Sequence, residues 1–256
     1  MRTSSILDTT RTLNIILFGE TGVGKSSVIN LIAEKPIAEV SPDADGCTMD
    51  SKEYSFDVLT RRIRLWDTVG LEEPQMGVNG YLAAIEKALE LIRKLSAAGG
   101  VDLLLFCIRG NRITATTQSN YRLFYEVLCE KKVPIAIIVT NLERESRMED
   151  WWQRNEKSIA KFGMHSIGHA CVTGIQDSVE KCRESRSAIV QLLSQFDGEG
   201  RFSMPLEPWL SRLLKGLGHF VHEKGSLKGK DVARTLVKRC HMDVETAQRV
   251  AGQLTS

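Results

Sequence analysis

The sequence has no apolar stretch long enough to cross a bilayer: its longest, residues 101–108 and 134–139, fall well short of the about 20 residues a spanning helix needs. A transmembrane span is therefore excluded. The first residues, MRTSSILDTTRTLN, also lack the apolar core of a secretory leader and carry the acidic Asp8, so the expected location is the cytoplasm. There is no CxxC pair among the six cysteines at positions 47, 107, 129, 171, 182 and 240. Most of them sit in apolar-patterned segments, which argues against a disulfide framework and for reduced core thiols. Excess charge is missing too. Lys plus Arg number 34 against 32 for Asp plus Glu, and a net charge of +2 supplies no overall electrostatic case for nucleic acid or an anionic surface, so no nucleic-acid partner is expected. No internal repeat is visible.

What is present has the balance of a globular chain, with 42% hydrophobic and 26% charged residues over 256 positions. At about 150 residues per domain, that length predicts one large domain or one domain with an appendage. Leu13 to Phe18 form a short apolar run ending in glycine, the pattern of a buried strand. Val28, Ile29 and Ile32 then fall at helical spacing until Pro36. Tyr54, Phe56 and Val58 alternate, as do Ile63 and Leu65, which predicts a hairpin across residues 59–61. Leu82, Ile85, Leu89, Ile92 and Leu95 mark a helix ending at Gly99 and Gly100. Beyond it the pattern predicts a strand at 101–108, a helix carrying Tyr121, Phe124 and Leu128, and a strand at 134–139. A helix around 151–162, a short strand at 167–173 and a helix over 178–196 complete the series. Strands alternating with helices imply a mostly parallel sheet with helices on both faces and one antiparallel strand, an α/β fold. Residues 205–256 read as helical throughout, and the excess of basic over acidic residues in 226–256 reads as an ordinary solvated helical surface.

Gly19-Glu20-Thr21-Gly22-Val23-Gly24-Lys25-Ser26 matches GxxxxGK[ST] and lies between the first strand and the first helix, the context the motif requires. Glycines let the backbone wind round a polyphosphate and present its N–H groups, and the positive end of the following helix faces the anion. The Lys25 ammonium is expected on the β- and γ-phosphates and the Ser26 hydroxyl on an accompanying Mg²⁺ ion. Asp67-Thr68-Val69-Gly70, at the tip of a predicted strand, supplies a carboxylate for the magnesium shell and a Gly70 N–H with no Cβ to bar its approach to the γ-phosphate. Thr48, in the loop before the second strand, is the threonine expected to close over Mg²⁺ and γ-phosphate, with Ser41 and Ser51 as rivals. His165, His169, Cys171 and Cys182 have no paired metal-ligand spacing and, like Trp151 and Trp152, read as packing residues.

With GETGVGKSS, the Thr48 loop, WDTVG and the strand ending in VTNLE in that order, the chain resembles the translation-factor-related P-loop GTPases. Within them it is most similar to the septin-like branch, which includes the immunity-associated and chloroplast import-receptor GTPases and similar uncharacterised fungal proteins. The pair Ser26-Ser27 fits that branch. The resemblance implies a G domain over residues 11–200, after a lead at 1–10 and before a C-terminal helical region at 201–256. It also implies GTP and GDP with Mg²⁺ as ligands, and the activity of a slow GTP hydrolase serving as a switch or assembly protein. Thr140-Asn141-Leu142-Glu143 takes the place of the family's [NT]KxD: Asn141 stands for the lysine and Glu143 for the aspartate that accepts the N1–H and N2–H₂ of guanine. Thr173-Gly174 is the candidate for a further backbone contact to the base. Leu71 has no polar group where many relatives orient water with glutamine, so hydrolysis is expected to depend on a homodimer across the nucleotide face, with Arg112 as the arginine supplied in trans. The rival readings are a nucleotide-stabilised interaction module with negligible turnover and an ATP-binding P-loop protein.

Overall fold

A computed structural model describes residues 11–39, 52–68, 78–111, 113–174, 178–196, 201–221, 229–238 and 241–252. Among the described residues six strands form one sheet: β1 (Leu13–Phe18), β2 (Lys52–Val58), β3 (Arg61–Asp67), β4 (Leu103–Arg109), β5 (Ile135–Thr140) and β6 (Gly168–Cys171). Their order across the sheet is β2-β3-β1-β4-β5-β6, parallel throughout except that β2 runs antiparallel to β3. This is the α/β arrangement that the alternation of patterns predicts.

The period of two along the central strands builds two apolar layers, because successive side chains leave opposite faces. Leu13, Ile15 and Leu17 of β1 meet Val28, Ile29 and Ile32 of α1 (Lys25–Ala33) and Ile189, Leu192 and Leu193 of α5 (Val179–Ser194). Ile16 and Phe18 face the other way, into a layer with α2 (Val78–Ala97), α3 (Ala115–Tyr121) and α4 (Glu149–Lys161). Both faces of β1 are buried, which explains its unbroken apolar run.

Three C-terminal helices, α6 (Leu206–Val221), α7 (Gly229–Lys238) and α8 (Val244–Gly252), extend this second layer. Trp209, Val232, Leu236, Ala247 and Val250 are buried in the same cluster as Leu89 and Ile92 of α2. No helix among the described residues is long and apolar enough to cross a membrane.

The segment carrying Tyr121, Phe124 and Leu128 differs from the single helix that its spacing predicts. After Tyr121 it widens into a π-helical turn over Arg122–Leu128, with the Cys129 N–H bonding to the Phe124 carbonyl. Phe124 stacks on Phe18, which stacks on Phe106. At the far end of that turn, the Leu128 carbonyl accepts a 2.8 Å bond from the indole N–H of fully buried Trp209. The wide turn thus both fills the layer over β1 and anchors α6.

A second anchor is Asp102, buried at the start of β4. Its carboxylate accepts from the Asn14 backbone N–H at 2.7 Å, from Arg11 at 2.9 Å and from Arg201 at 2.8 Å. Arg201 also donates to the Ala98 and Thr12 carbonyls, so one guanidinium ties the approach to α6 to α2 and β1. Removing one partner of such a buried charge cluster leaves the others unpaired. Asp102→Ala is expected to lose about 3–5 kcal/mol of stability, read as a lower urea midpoint, and a loss below about 1 kcal/mol would show that the cluster is dispensable.

Candidate functional site

The predicted phosphate loop lies at the C-terminal ends of the parallel strands, between β1 and α1, where ligands of open α/β sheets bind. Gly19 is required there by close approach: a Cβ at that position would sit 2.2 Å from the Cys107 carbonyl of β4. Gly22 and Gly24 have φ of 75° and 96°, the left-handed region that glycine enters without strain. Gly24 begins α1 with no side chain capping the helix, so the first-turn amides are available to an anion. Thr21 and Gly22 are exposed, Val23 is buried, and Ser26 is half-buried on the first turn of α1.

Lys25 is buried and its ammonium donates to the Gly19 carbonyl at 2.6 Å and to the Glu20 carbonyl at 3.2 Å, curling over the loop it belongs to. Beneath the loop, burial pushes the Cys107 thiol pKa upward, with the Lys25 charge opposing, so Cys107 is a packing thiol. Asp67 closes β3, opposite Leu17 in the parallel register. Thr68 follows, donating from both its N–H and its hydroxyl to the Leu17 carbonyl at 3.1 Å. Burial, followed by the charges of Asp67 and Glu39, raises Tyr54 of β2 to about 12. Tyr54 therefore stays a neutral phenol beside the Asp67 carboxylate.

The segment after β5 is drawn to the same edge. The Thr140 hydroxyl lies 2.6 Å from the Val23 carbonyl and 3.2 Å from that of Ile108, joining the phosphate loop to the ends of β4 and β5. Asn141 then adopts φ of 61°, which turns the chain so that Leu142 is buried and the Glu145 N–H bonds to the Leu142 carbonyl. Oε2 of Glu143 is buried and has no hydrogen-bond partner among the described residues. A buried carboxylate oxygen without a donor is costly, and the side chain has to turn outward before a ligand's N–H groups reach it. Thr173 is buried, and Gly174 packs so tightly on α1 that a Cβ there would meet Cβ of Ser27 at 2.3 Å. Glycine at 174 thus brings the segment after β6 against the phosphate-loop helix.

Glu20, Thr21, Gly22, Val23, Gly24, Lys25, Ser26, Ser27, Asp67, Thr140, Asn141, Glu143, Thr173 and Gly174 therefore sit, with Gly19, along one edge of the sheet. Thr48, its rivals Ser41 and Ser51, Gly70, Leu71 and Arg112 lie outside the described residues. Sequence reading passes over two partners of Glu20. The hydroxyls of Thr114 and Thr117 both donate to its carboxylate while forming the capping box of α3. Threonines spaced as an N-cap pair mark a helix start, but nothing in that spacing shows that they also hold the phosphate loop. The other motif-free polar groups pack instead: His169 stacks on Trp152 with centroids 3.9 Å apart, and its Nε2 lies 2.6 Å from Glu149.

Comparison with known proteins follows these motifs. The family described as 50S ribosome-binding GTPase matches residues 14–141. GTPase Der of Campylobacter curvus is 26% identical over 197 residues, which cover 73% of this chain and 39% of Der. The chain thus spans about two fifths of that relative's length. Two solved structures share the fold. Era of Aquifex aeolicus bound to GDP and AlF4⁻ superposes with a TM-score of 0.54 at 16% identity, over 77% of this chain and 60% of Era. The second, from work on dimerization and GTPase activity of the chloroplast translocon components atToc33 and psToc159, gives 0.57 at 18% identity, over 76% of this chain and 86% of that one.

The contact between Gly174 and Ser27 generates a stability test. Gly174→Ala is expected to cost about 1–3 kcal/mol by overpacking, and that cost should shrink below about 1 kcal/mol in a Ser27→Gly background. Equal costs of Gly174→Ala in both backgrounds, measured by thermal unfolding, would dissociate the two residues.

Proposed function

We propose that this chain, which belongs to the 50S ribosome-binding GTPase family, binds GTP with Mg²⁺ and hydrolyses it slowly, acting as a nucleotide-dependent switch or assembly protein. The observation that carries the proposal is the edge at which an uncapped α1, a buried Lys25 and the donor-less Oε2 of Glu143 are collected. The first two suit a polyphosphate, and the third suits the N1–H and N2–H₂ of guanine, which adenine lacks on that edge.

In this reading the loop amides from Gly22 to Ser26 and the Lys25 ammonium hold the phosphates. On binding, Lys25 exchanges the carbonyls of Gly19 and Glu20 for phosphate oxygens. Ser26, Asp67 and Thr48 would hold Mg²⁺, which supplies charge neutralisation to the transferring phosphoryl group. Gly70 senses the γ-phosphate. Leu71 cannot orient water, which supports slow turnover by one chain. A cation from a second copy, with Arg112 as its bearer, would raise that rate by about 10³–10⁵.

Kinship with the septin-like branch is part of the proposal and is supported by the Ser26-Ser27 pair and the likeness to the chloroplast translocon structure. An RNA partner is not part of it, because the chain's 34 basic residues are matched by 32 acidic ones.

Lys25→Ala is expected to lose GTP affinity by at least about 100-fold, since a charge-assisted phosphate contact disappears, while the variant still folds with a modestly lowered unfolding midpoint because the Gly19 and Glu20 carbonyls lose their donor. Equal affinity in the folded variant would overturn the phosphate assignment. Phosphate release per chain, followed over a hundredfold range of protein concentration, should rise with concentration. A flat specific activity would remove the dimer from the reading, and release of less than one phosphate per chain would favour the interaction module.

A further inference from the structure

Glutamate has one more rotatable bond than aspartate, so Glu143 can present a carboxylate to a base only if its backbone is held. The structure holds it from α5. Lys181, in the first turn of that helix, reaches back to donate from Nζ to the Glu143 carbonyl at 2.7 Å and to the Glu145 carbonyl at 2.7 Å. A cation at a helix N-terminus opposes the macrodipole, so this lysine is not placed there for the helix's sake. Its own N–H is capped by the Ser178 hydroxyl at 3.3 Å, which fixes the turn from which the side chain extends. On the other side of the loop, Arg154 of α4 holds the Glu145 carboxylate at 2.5 Å.

The next turn of α5 reaches the second predicted base contact. Ser185, fully buried, donates to the Lys181 carbonyl at 2.7 Å and accepts from the Thr173 N–H at 3.0 Å. A continuous chain of bonds thus runs from Thr173 through Ser185 and Lys181 to Glu143. The two segments have no sequence relation, yet one helix start sets both.

We propose that Lys181 is the positioning residue for guanine selection, gripping the carbonyls of Glu143 and Glu145 so that the Glu143 carboxylate meets both base donors. The proposal rests on the reading of the site as a GTP site. Its effect belongs to the base and not to the phosphates, which are held by a different loop. Inosine triphosphate isolates it, because hypoxanthine keeps N1–H and lacks only the 2-amino group.

The test measures dissociation constants of GTP and inosine triphosphate, each with Mg²⁺, for the full chain and for Lys181→Met and Lys181→Gln. Wild type is expected to prefer GTP by about tenfold or more, the value of one hydrogen bond to a charged acceptor. Lys181→Met should bring that preference to within about threefold, with GTP, which loses two contacts to the carboxylate, weakened more than inosine triphosphate, which loses one. Lys181→Gln keeps two N–H donors without the charge or the reach, and should fall between; it carries the test if the methionine variant does not fold. A wild-type preference retained in the folded variant overturns the role of Lys181 alone, as does an equal loss of affinity for both nucleotides. No preference in wild type overturns the reading of Glu143 itself.

Discussion

At the C-terminal ends of β1 and β4 the backbones run so close that the Cys107 carbonyl leaves no room for a side chain at residue 19. That approach sets where the phosphate loop leaves the sheet, and the rest of the site is arranged around it. Thr140 brings the end of β5 to the same point by bonding the Val23 carbonyl, and Glu20 is held by the start of α3. Three connections that are far apart in sequence are therefore registered on one loop. The burial of Lys25 follows, because its ammonium finds its acceptors in that loop's own carbonyls.

The C-terminal helices belong to the same physical unit through two polar contacts joined by the Phe202 ring, which packs edge-on against Trp209. Trp209 satisfies its indole N–H on the carbonyl freed by the π-helical turn, and Arg201 shares Asp102 with Arg11 and the Asn14 backbone. Each contact is buried or nearly so, where an unmade bond is expensive. Because α6 and α7 pack on α2, the C-terminal region covers the same helical layer that buries Ile16 and Phe18 of β1.

Much of the fold was legible because its signals are local. Strands buried on both faces read as unbroken apolar runs, as LNIILF does, and the β2–β3 hairpin shows in the alternation of Tyr54, Phe56 and Val58. The phosphate loop was legible for the same reason: GxxxxGK[ST] is a contiguous statement about backbone geometry. The π-helical turn was not, since the spacing of Tyr121, Phe124 and Leu128 suits an ordinary helix, and the widening accompanies a Phe124 ring stacked on Phe18 and a Trp209 anchor from a distant segment.

The amino-acid sequence by itself determined the order of the elements, the apolar faces that pair them and the set of residues available to phosphate, magnesium and base, because these depend on side-chain type and on spacing within a few residues. Only the tertiary structure decided which of those residues are held, and by what. Thr114 and Thr117 on Glu20, Ser27 against Gly174, and Lys181 on the carbonyls of Glu143 and Glu145 are all contacts across long sequence separations. Their geometry exists only once the sheet has brought its strand ends to one edge, and no local pattern encodes a hydrogen bond whose two halves lie in different elements.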